Sequence, residues 1–515
     1  MLYSIHSFFF ATTEIINRDR LDQHLGLFRI RIETAKRIDP QLGDWRLLAE
    51  DQGAHLSFLG TPGLRTPNLD RLARSGVYFE NAFVGYPVCS ASKATIYTGL
   101  HSHTNGILNN THNFHKPASD VTVAERNMRL AQSNRIHERF VTLTELLDAN
   151  GYYQGVTHKL HVLPNEKFPY DEFHRTDTTQ MDGFLRRASE LQRPFFLMVN
   201  IPYSHRPYPN SDRQPIRVQP SDVEIPEFLP DTPEVRKDWS EYLAGIEAMD
   251  AVAGTALRKL ADSRQADNTI VIYMSDHGPT FQHGKMTLYD LGLRTPLVVS
   301  GPGIPTERRC DELVSGLDIM PTLKDLIERY CDCDLMMPDE AISAKSGVTL
   351  NQYIQSLDGK SFANLLWNPD ADGGHDYIFN EISNRGPLPN DGIQERSVFD
   401  GRWKLIYREN VERAWRQVNA DTRAKEPWGN RTYAETLRVK NQFPKQYQIL
   451  AEMDPQNLHG EVRRLELYDL QNDPDEMTDL SASPEHAEEQ KRLIRALRLW
   501  KARTSDDSLR LSRGE

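Results

Sequence analysis

The 515-residue sequence predicts an α/β protein: a mixed, mostly parallel sheet between helix layers, with a smaller C-terminal antiparallel sheet plus helix. Three observations predict it. Apolar runs of strand length alternate with longer amphipathic stretches over most of the chain. The clearest of these runs, 195–201 and 269–274, are apolar almost throughout, as strands covered on both faces are. After about residue 376 the pattern changes to short segments punctuated by turn residues.

In order along the chain, residues 1–44 form an atypical N-terminal segment. Apolar residues alternate with Arg at 28–32, which predicts a half-exposed strand. The organised fold starts with the apolar run Trp45-Arg46-Leu47-Leu48-Ala49, which ends in Glu50-Asp51-Gln52-Gly53. Thr66 suits a helix N-cap, Pro67 the first helical position, and Leu69, Leu72 and Ala73 one apolar face; Gly76 is expected to stop that helix. Further helices are predicted at 143–150, 235–260 and 318–330, with a strand at 296–300. Ser275-Asp276-His277-Gly278 closes the 269–274 run, where open α/β sheets place their sites. A catalytic domain is placed at 45–375 and a C-terminal subdomain at 376–515. Within the latter, 397–406 reads as a hairpin turning at Asp400-Gly401, 466–470 as a strand and 488–501 as a charged amphipathic helix. The polar stretch 410–460 is expected to be a long excursion shaping substrate access.

Composition excludes some functions. With 61 basic and 73 acidic residues, the net charge of −12 argues against nucleic-acid or membrane binding driven by overall charge. Neither a nucleic-acid partner nor a membrane span is expected, since no apolar stretch approaches the roughly 20 residues needed. The N-terminal apolar run lacks a basic flank and a small-residue cleavage site, so no secretion signal is read and the compartment is left open. Four cysteines do not make a disulfide framework. Cys331 and Cys333 are expected to be too close for a mutual bridge, and with Cys310 they read as ordinary thiols.

Cys89 differs through its surroundings. Small and hydroxyl residues come after it in Cys89-Ser90-Ala91-Ser92-Lys93-Ala94-Thr95 and could open a helix, putting the side chain at an electropositive N-terminus that suits an anionic group. The segment, which ends in Thr98-Gly99, resembles the signature of the type I sulfatases, Cys-x-Pro/Ala-Ser-Arg followed by a short helix and Thr-Gly. Thr66-Pro67-Asn68-Leu69-Asp70 resembles the family helix before it. Ser275-Asp276-His277-Gly278 resembles its second metal segment, and His283-Gly284-Lys285 and Gly292-Leu293-Arg294-Thr295-Pro296 resemble the stretch just C-terminal to that segment. Gly359-Lys360-Ser361-Phe362 and Leu467-Tyr468-Asp469-Leu470 match later landmarks, so the likeness runs in order from about 45 to 502.

The resemblance implies an alkaline-phosphatase-like fold, one calcium ion, and a formylglycine nucleophile made from Cys89 by a formylglycine-generating or anaerobic sulfatase-maturating enzyme. A hydrated aldehyde carries two hydroxyls on one carbon. One attacks sulfur and displaces the alcohol or amine; deprotonating the other expels sulfate and regenerates the aldehyde. By the same resemblance Glu50, Asp51, Asp276 and His277, with residue 89, hold the calcium. Lys159 and Lys285 clamp the sulfate, His161 acts as base on the gem-diol, and His205 protonates the leaving atom. His158 and His283 are expected to be bystanders. Lys93 stands where the family has Arg, which is also read by the modifying enzyme, and Glu50 stands in place of Asp. From the signature alone, Lys93→Arg is expected to raise activity.

Within the family the likeness is greatest to heparan N-sulfatase (sulfamidase) and bacterial relatives, through Thr98 to Gly106, His112-Asn113-Phe114 and His205-Arg206. The implied substrate is a sulfated carbohydrate. The alternatives are a phosphate or phosphonate monoester hydrolase of the same superfamily and a non-catalytic pseudoenzyme that binds sulfated glycan.

Overall fold

The computed structural model describes residues 42–506 except 113, 115, 117, 129–133, 176–177, 209–216, 339–347, 384–391 and 414–429. The strand expected at 28–32 lies outside the described residues, as do Asn113 and part of the 410–460 excursion.

Eight strands form the main sheet: β1 (Gly43–Ala49), β2 (Gly76–Phe83), β3 (Tyr153–Thr157), β4 (Glu172–His174), β5 (Phe195–Ile201), β6 (Thr269–Ser275), β7 (Leu297–Ser300) and β8 (Arg308–Ser315). Their order is β4-β3-β5-β1-β6-β7-β2-β8. Among these strands β7 alone runs against its neighbours. Every residue of β5 and β6 is buried, which is why these two runs are legible as continuous apolar segments. The flanking helices include α1 (Pro67–Arg74), α2 (Cys89–Thr98), α3 (Leu143–Ala149), α4 (Met181–Glu190), α5 (Pro233–Asp262) and α6 (Ile319–Cys331). Trp239, Tyr242, Ile246 and Met249 of α5 belong to one core cluster with Leu47, Val199 and Tyr273 of the sheet.

Some local expectations change. Thr66 does occupy the N-cap of α1, but its hydroxyl donates to Asp70 rather than accepting from the helix backbone. Gly76 does not stop that helix; Ser75 does, and Gly76 opens β2 where a Cβ would meet the Val299 carbonyl at 2.2 Å. Cys331 and Cys333 are joined in a disulfide, contrary to the sequence expectation. Asp332 between them takes a left-handed conformation at the end of α6, which folds the chain back and brings the two Cα atoms to 5.2 Å. Cys310 is a buried free thiol, as expected.

A second, antiparallel sheet has the order β12-β11-β10-β9, from β9 (Ile378–Ser383), β10 (Gln394–Phe399), β11 (Trp403–Glu409) and β12 (Leu465–Asp469). The expected hairpin is β10–β11, where the Asp400 carboxylate accepts from the N–H groups of Arg402 and Trp403. The excursion contains α7 (Arg431–Arg438) and α8 (Pro444–Met453), and α9 (Ala487–Thr504) follows β12. Leu493, Leu497 and Trp500 of α9 pack on Val398, Leu405 and Leu467.

Arg408 of β11 ties this sheet to the loop after β6: its buried guanidinium bonds Glu395 and Glu466, each at 2.7 Å, while Tyr289 donates to Glu466. Arg408→Met removes the buried cation that the two carboxylates share and leaves Glu466 with Arg463 at 3.4 Å. It is expected to lower stability by about 3–5 kcal/mol, measured by denaturant unfolding.

Candidate active site

β1 and β6 are parallel neighbours with Ala49 opposite Ser275, so the residues just beyond their C-terminal ends meet. The Asp276 N–H donates to the Ala49 carbonyl, and the Asp51 N–H to Asp276 Oδ1, both at 3.0 Å. Asp51 takes a left-handed φ of 57°, which turns its carboxylate across the strand ends. Close packing requires glycine at 278, because a Cβ there would lie 1.7 Å from the Leu291 carbonyl oxygen. Cys89 is the first residue of α2, with Val88 extended before it, so its side chain sits at the positive end of a ten-residue helix.

These elements converge. His277 Nε2 lies 3.2 Å from Cys89 Sγ, and Asp51 Oδ1 lies 4.0 Å from that sulfur. One ligand atom from each of Asp51, Cys89, Asp276 and His277 falls within 4.8 Å of the others, and all four residues are buried: a group that could hold a metal ion. Asp276 Oδ2 is buried and lacks a hydrogen-bond partner. Glu50 lies outside this group. Its two oxygens face Lys93 Nζ at 3.2 Å and Lys159 Nζ at 2.9 Å.

Lys285 Nζ reaches both oxygens of Asp51 at 3.0 and 2.9 Å. His205 Nε2 lies 3.4 Å from Lys285 Nζ and 4.0 Å from Asp51 Oδ2. Burial pushes the Cys89 thiol up, but the charges of Lys159, Lys285 and His277 outweigh it and hold the pKa well below the ordinary thiol range. Burial pulls His161 down to about 4, so the ring is neutral near pH 7. His161 Nε2 lies 2.9 Å from the Thr111 carbonyl, which can only accept; Nε2 therefore carries the proton and Nδ1 keeps its lone pair. The opposite balance holds at His277, where burial is outweighed by Asp276, Cys89 and Asp51, raising it to about 9.

His283 stacks on Tyr289 at 3.7 Å and tilts against Phe228, a packed core ring away from the cluster. Sequence reasoning missed Thr280, whose hydroxyl donates to Asp51 Oδ2 at 3.2 Å, and Thr111. Neither carries a sequence signal, because both act from loops through a single hydroxyl or carbonyl.

Fold and site together define an α/β protein with a cysteine poised at a helix start, facing carboxylates and lysines. A family model described as Sulfatase matches residues 45–328, and the chain belongs to the sulfatase family, which hydrolyses sulfuric esters or sulfamates. N-sulphoglucosamine sulphohydrolase of Homo sapiens is 27% identical over 501 residues, covering 89% of this chain and 90% of that protein. An ulvan-active sulfatase of Formosa agariphila is 26% identical over 504 residues, covering 90% of this chain and 75% of that protein. The structure of a phosphonate monoester hydrolase of Agrobacterium radiobacter superposes with a TM-score of 0.61 at 18% identity, covering 90% of this chain and 96% of that one; it shares the fold.

Proposed function

We propose that the protein removes sulfate from a sulfated carbohydrate of the heparan type, using a formylglycine made from Cys89 and a bound calcium ion. The observation that carries this reading is the convergence of Cys89, Asp51, Asp276 and His277 within 4.8 Å at the start of α2. Likeness along nearly the whole length of a sulphoglucosamine sulphohydrolase supports the choice of substrate.

The donor set fits the ion. Calcium prefers hard oxygen ligands, and Asp276 Oδ2 is a buried carboxylate oxygen without a hydrogen bond, its nearest cation being Lys93 Nζ at 3.7 Å. Sulfur is a poor calcium ligand, but conversion of Cys89 to an aldehyde hydrate replaces it by oxygen. Asp51, Asp276, residue 89 and His277, its Nε2 proton displaced by the ion, would hold the calcium, which supplies positive charge against the sulfate oxygens.

The chain's own groups do the rest. Lys159 and Lys285, the two lysines that most favour negative charge at residue 89, clamp the sulfate from either side. His161, neutral and anchored through Nε2, presents Nδ1 as base to a hydroxyl on residue 89. His205, anchored through Nδ1–H on the Arg206 carbonyl, presents Nε2–H as the imidazolium to protonate the leaving oxygen or nitrogen.

The test is production with a formylglycine-generating enzyme, then mass spectrometry of the peptide around Cys89 and assay of sulfate release from N- and O-sulfated sugars. Formylglycine with sulfate release supports the proposal. An unmodified thiol with glycan binding alone identifies a pseudoenzyme, and faster cleavage of phosphonate or phosphate monoesters overturns the sulfate reading.

The contacts of Lys93 alter the expectation drawn from the signature. Lys93 is 1% exposed and packed between Glu50 and Asp276, at 3.2 and 3.7 Å. Glu is one methylene longer than Asp, and Lys presents one ammonium where Arg presents a fork, so the two departures answer one another. Lys93→Arg alone is expected to overpack the site at a cost of about 1–3 kcal/mol. Glu50→Asp combined with Lys93→Arg is expected to recover most of that loss. A double-mutant cycle on kcat/KM and Tm checks this; simple additivity rejects the pairing.

A further inference from the structure

Beyond the residues that face Cys89, a buried chain of bonds runs from the C-terminal excursion to His205. At Asn430 the chain enters α7, more than 220 residues after His205. Thr432 donates its hydroxyl to Asp238 Oδ2 at 2.7 Å and its N–H to the same oxygen at 3.2 Å. Asp238, on α5 and 1% exposed, takes the Arg206 guanidinium in a two-pronged pair at 2.8 and 2.8 Å. That guanidinium also lies over the rings of Tyr208 and Phe281, at 4.4 and 5.0 Å, which fixes its plane. The Arg206 carbonyl in turn accepts from His205 Nδ1 at 2.6 Å. A second strand of the network holds Thr280, whose carbonyl accepts from Asn430 Nδ2 at 3.2 Å and whose hydroxyl bonds Asp51.

We infer that Thr432, Asp238 and Arg206 are positioning residues that fix the ring orientation and aim of His205, making α7 part of the active-site wall. A carbonyl can only accept, so the anchored Arg206 backbone holds an N–H at His205 Nδ1 and aims Nε2 at the lysine and carboxylate beside Cys89; Nε2 gives its proton to the leaving atom from the imidazolium, in which both nitrogens carry one, and keeps a lone pair afterwards. Apart from the part-buried His205–Arg206 bond at its end, each link is buried, two-pronged or ring-clamped, so little freedom is left in the chain. The inference rests on the proposed role of His205 as the group that protonates the leaving atom.

The test uses that role. An alcohol or amine leaving from sulfur needs a proton as the S–O or S–N bond breaks, whereas 4-nitrophenolate leaves without one. Thr432→Val keeps volume and backbone N–H but deletes the hydroxyl, and Thr432→Ser restores it. Thr432→Val is expected to lower kcat about tenfold on a sulfated sugar, with KM within about twofold and the rate on 4-nitrophenyl sulfate within about twofold of wild type. Thr432→Ser should return kcat on the sugar to near wild type. Equal losses on both substrates, an effect confined to KM, or unchanged kcat on the sugar overturns the inference. Asp238→Asn should show the same substrate split, which keeps the test decisive if the valine variant folds poorly. Where wild type releases sulfate and neither variant discriminates, the inference falls alone; where wild type releases none, the proposed function falls first and takes the inference with it.

Discussion

Cys89→Ala is expected to abolish sulfate release, by about four to six orders of magnitude, while the fold is retained. The size comes from the chemistry proposed for this position: no other side chain at the start of α2 carries a second hydroxyl on one carbon, and without it sulfate cannot be expelled. Retention of the fold comes from the packing. Cys89 is buried at a helix start, but α2 closes on the Thr95 carbonyl at Gly99 and is buried along its whole length, so loss of one sulfur leaves its other contacts in place. Loss of thiolate leaves Lys159 and Lys285 with Glu50 and Asp51 as partners, so neither cation is stranded. Cys89→Ser, produced without a maturating enzyme, sharpens the test. It keeps an attacking oxygen but cannot expel the ester, so steady-state turnover should be absent while a sulfated protein accumulates in the intact mass spectrum. Retained turnover by purified Cys89→Ala rejects the assignment.

Much of the fold was legible because burial on both faces leaves a plain record. The runs that became β5 and β6 are apolar almost throughout, and the long helix α5 carries a continuous apolar stripe. Strands went unread where charged or polar side chains interrupt the apolar run. Arg308–Ser315, at a sheet edge, carries Arg308, Arg309, Asp311 and Glu312 in adjacent pairs, and Gly76–Phe83 carries Glu80 and Asn81 in mid-strand. The 410–460 excursion looked irregular because its helices are polar; α7 is held by Asn430 at its N-cap and by Thr432 and Thr436 bonds rather than by a large apolar face. At the site, residue types were readable from the motif, but partners were not. Nothing in the sequence shows that Glu50 faces two lysines, or that Thr280 and Thr432 reach the same network from distant parts of the chain. Such contacts depend on side-chain direction across strand ends, which no periodicity encodes. The Cys331–Cys333 bridge was missed for a like reason: spacing alone does not reveal the left-handed turn at Asp332 that permits it.

Asp276→Asn is expected to lower sulfate release at least about 100-fold, with added calcium failing to restore it fully. The substitution is nearly isosteric. Oδ1 can still accept from the Asp51 N–H, so the junction between β1 and β6 should hold. What changes is the other end, where a buried oxygen without a hydrogen-bond partner becomes an amide N–H₂ that points two donors at the proposed ion and removes one negative charge. Asp51→Asn should be as damaging for activity but less clean, because Asp51 also holds Lys285 and accepts from Thr280, so its loss moves a sulfate clamp as well as a ligand. The two variants therefore separate binding from clamping. Both should lose bound metal on elemental analysis, whereas Asp51→Asn alone should also raise KM for the sulfated sugar through the freed lysine. Equal metal content in wild type and both variants would rule out this ligand set, and full wild-type activity after exhaustive chelation, with no metal found, would remove calcium from the mechanism.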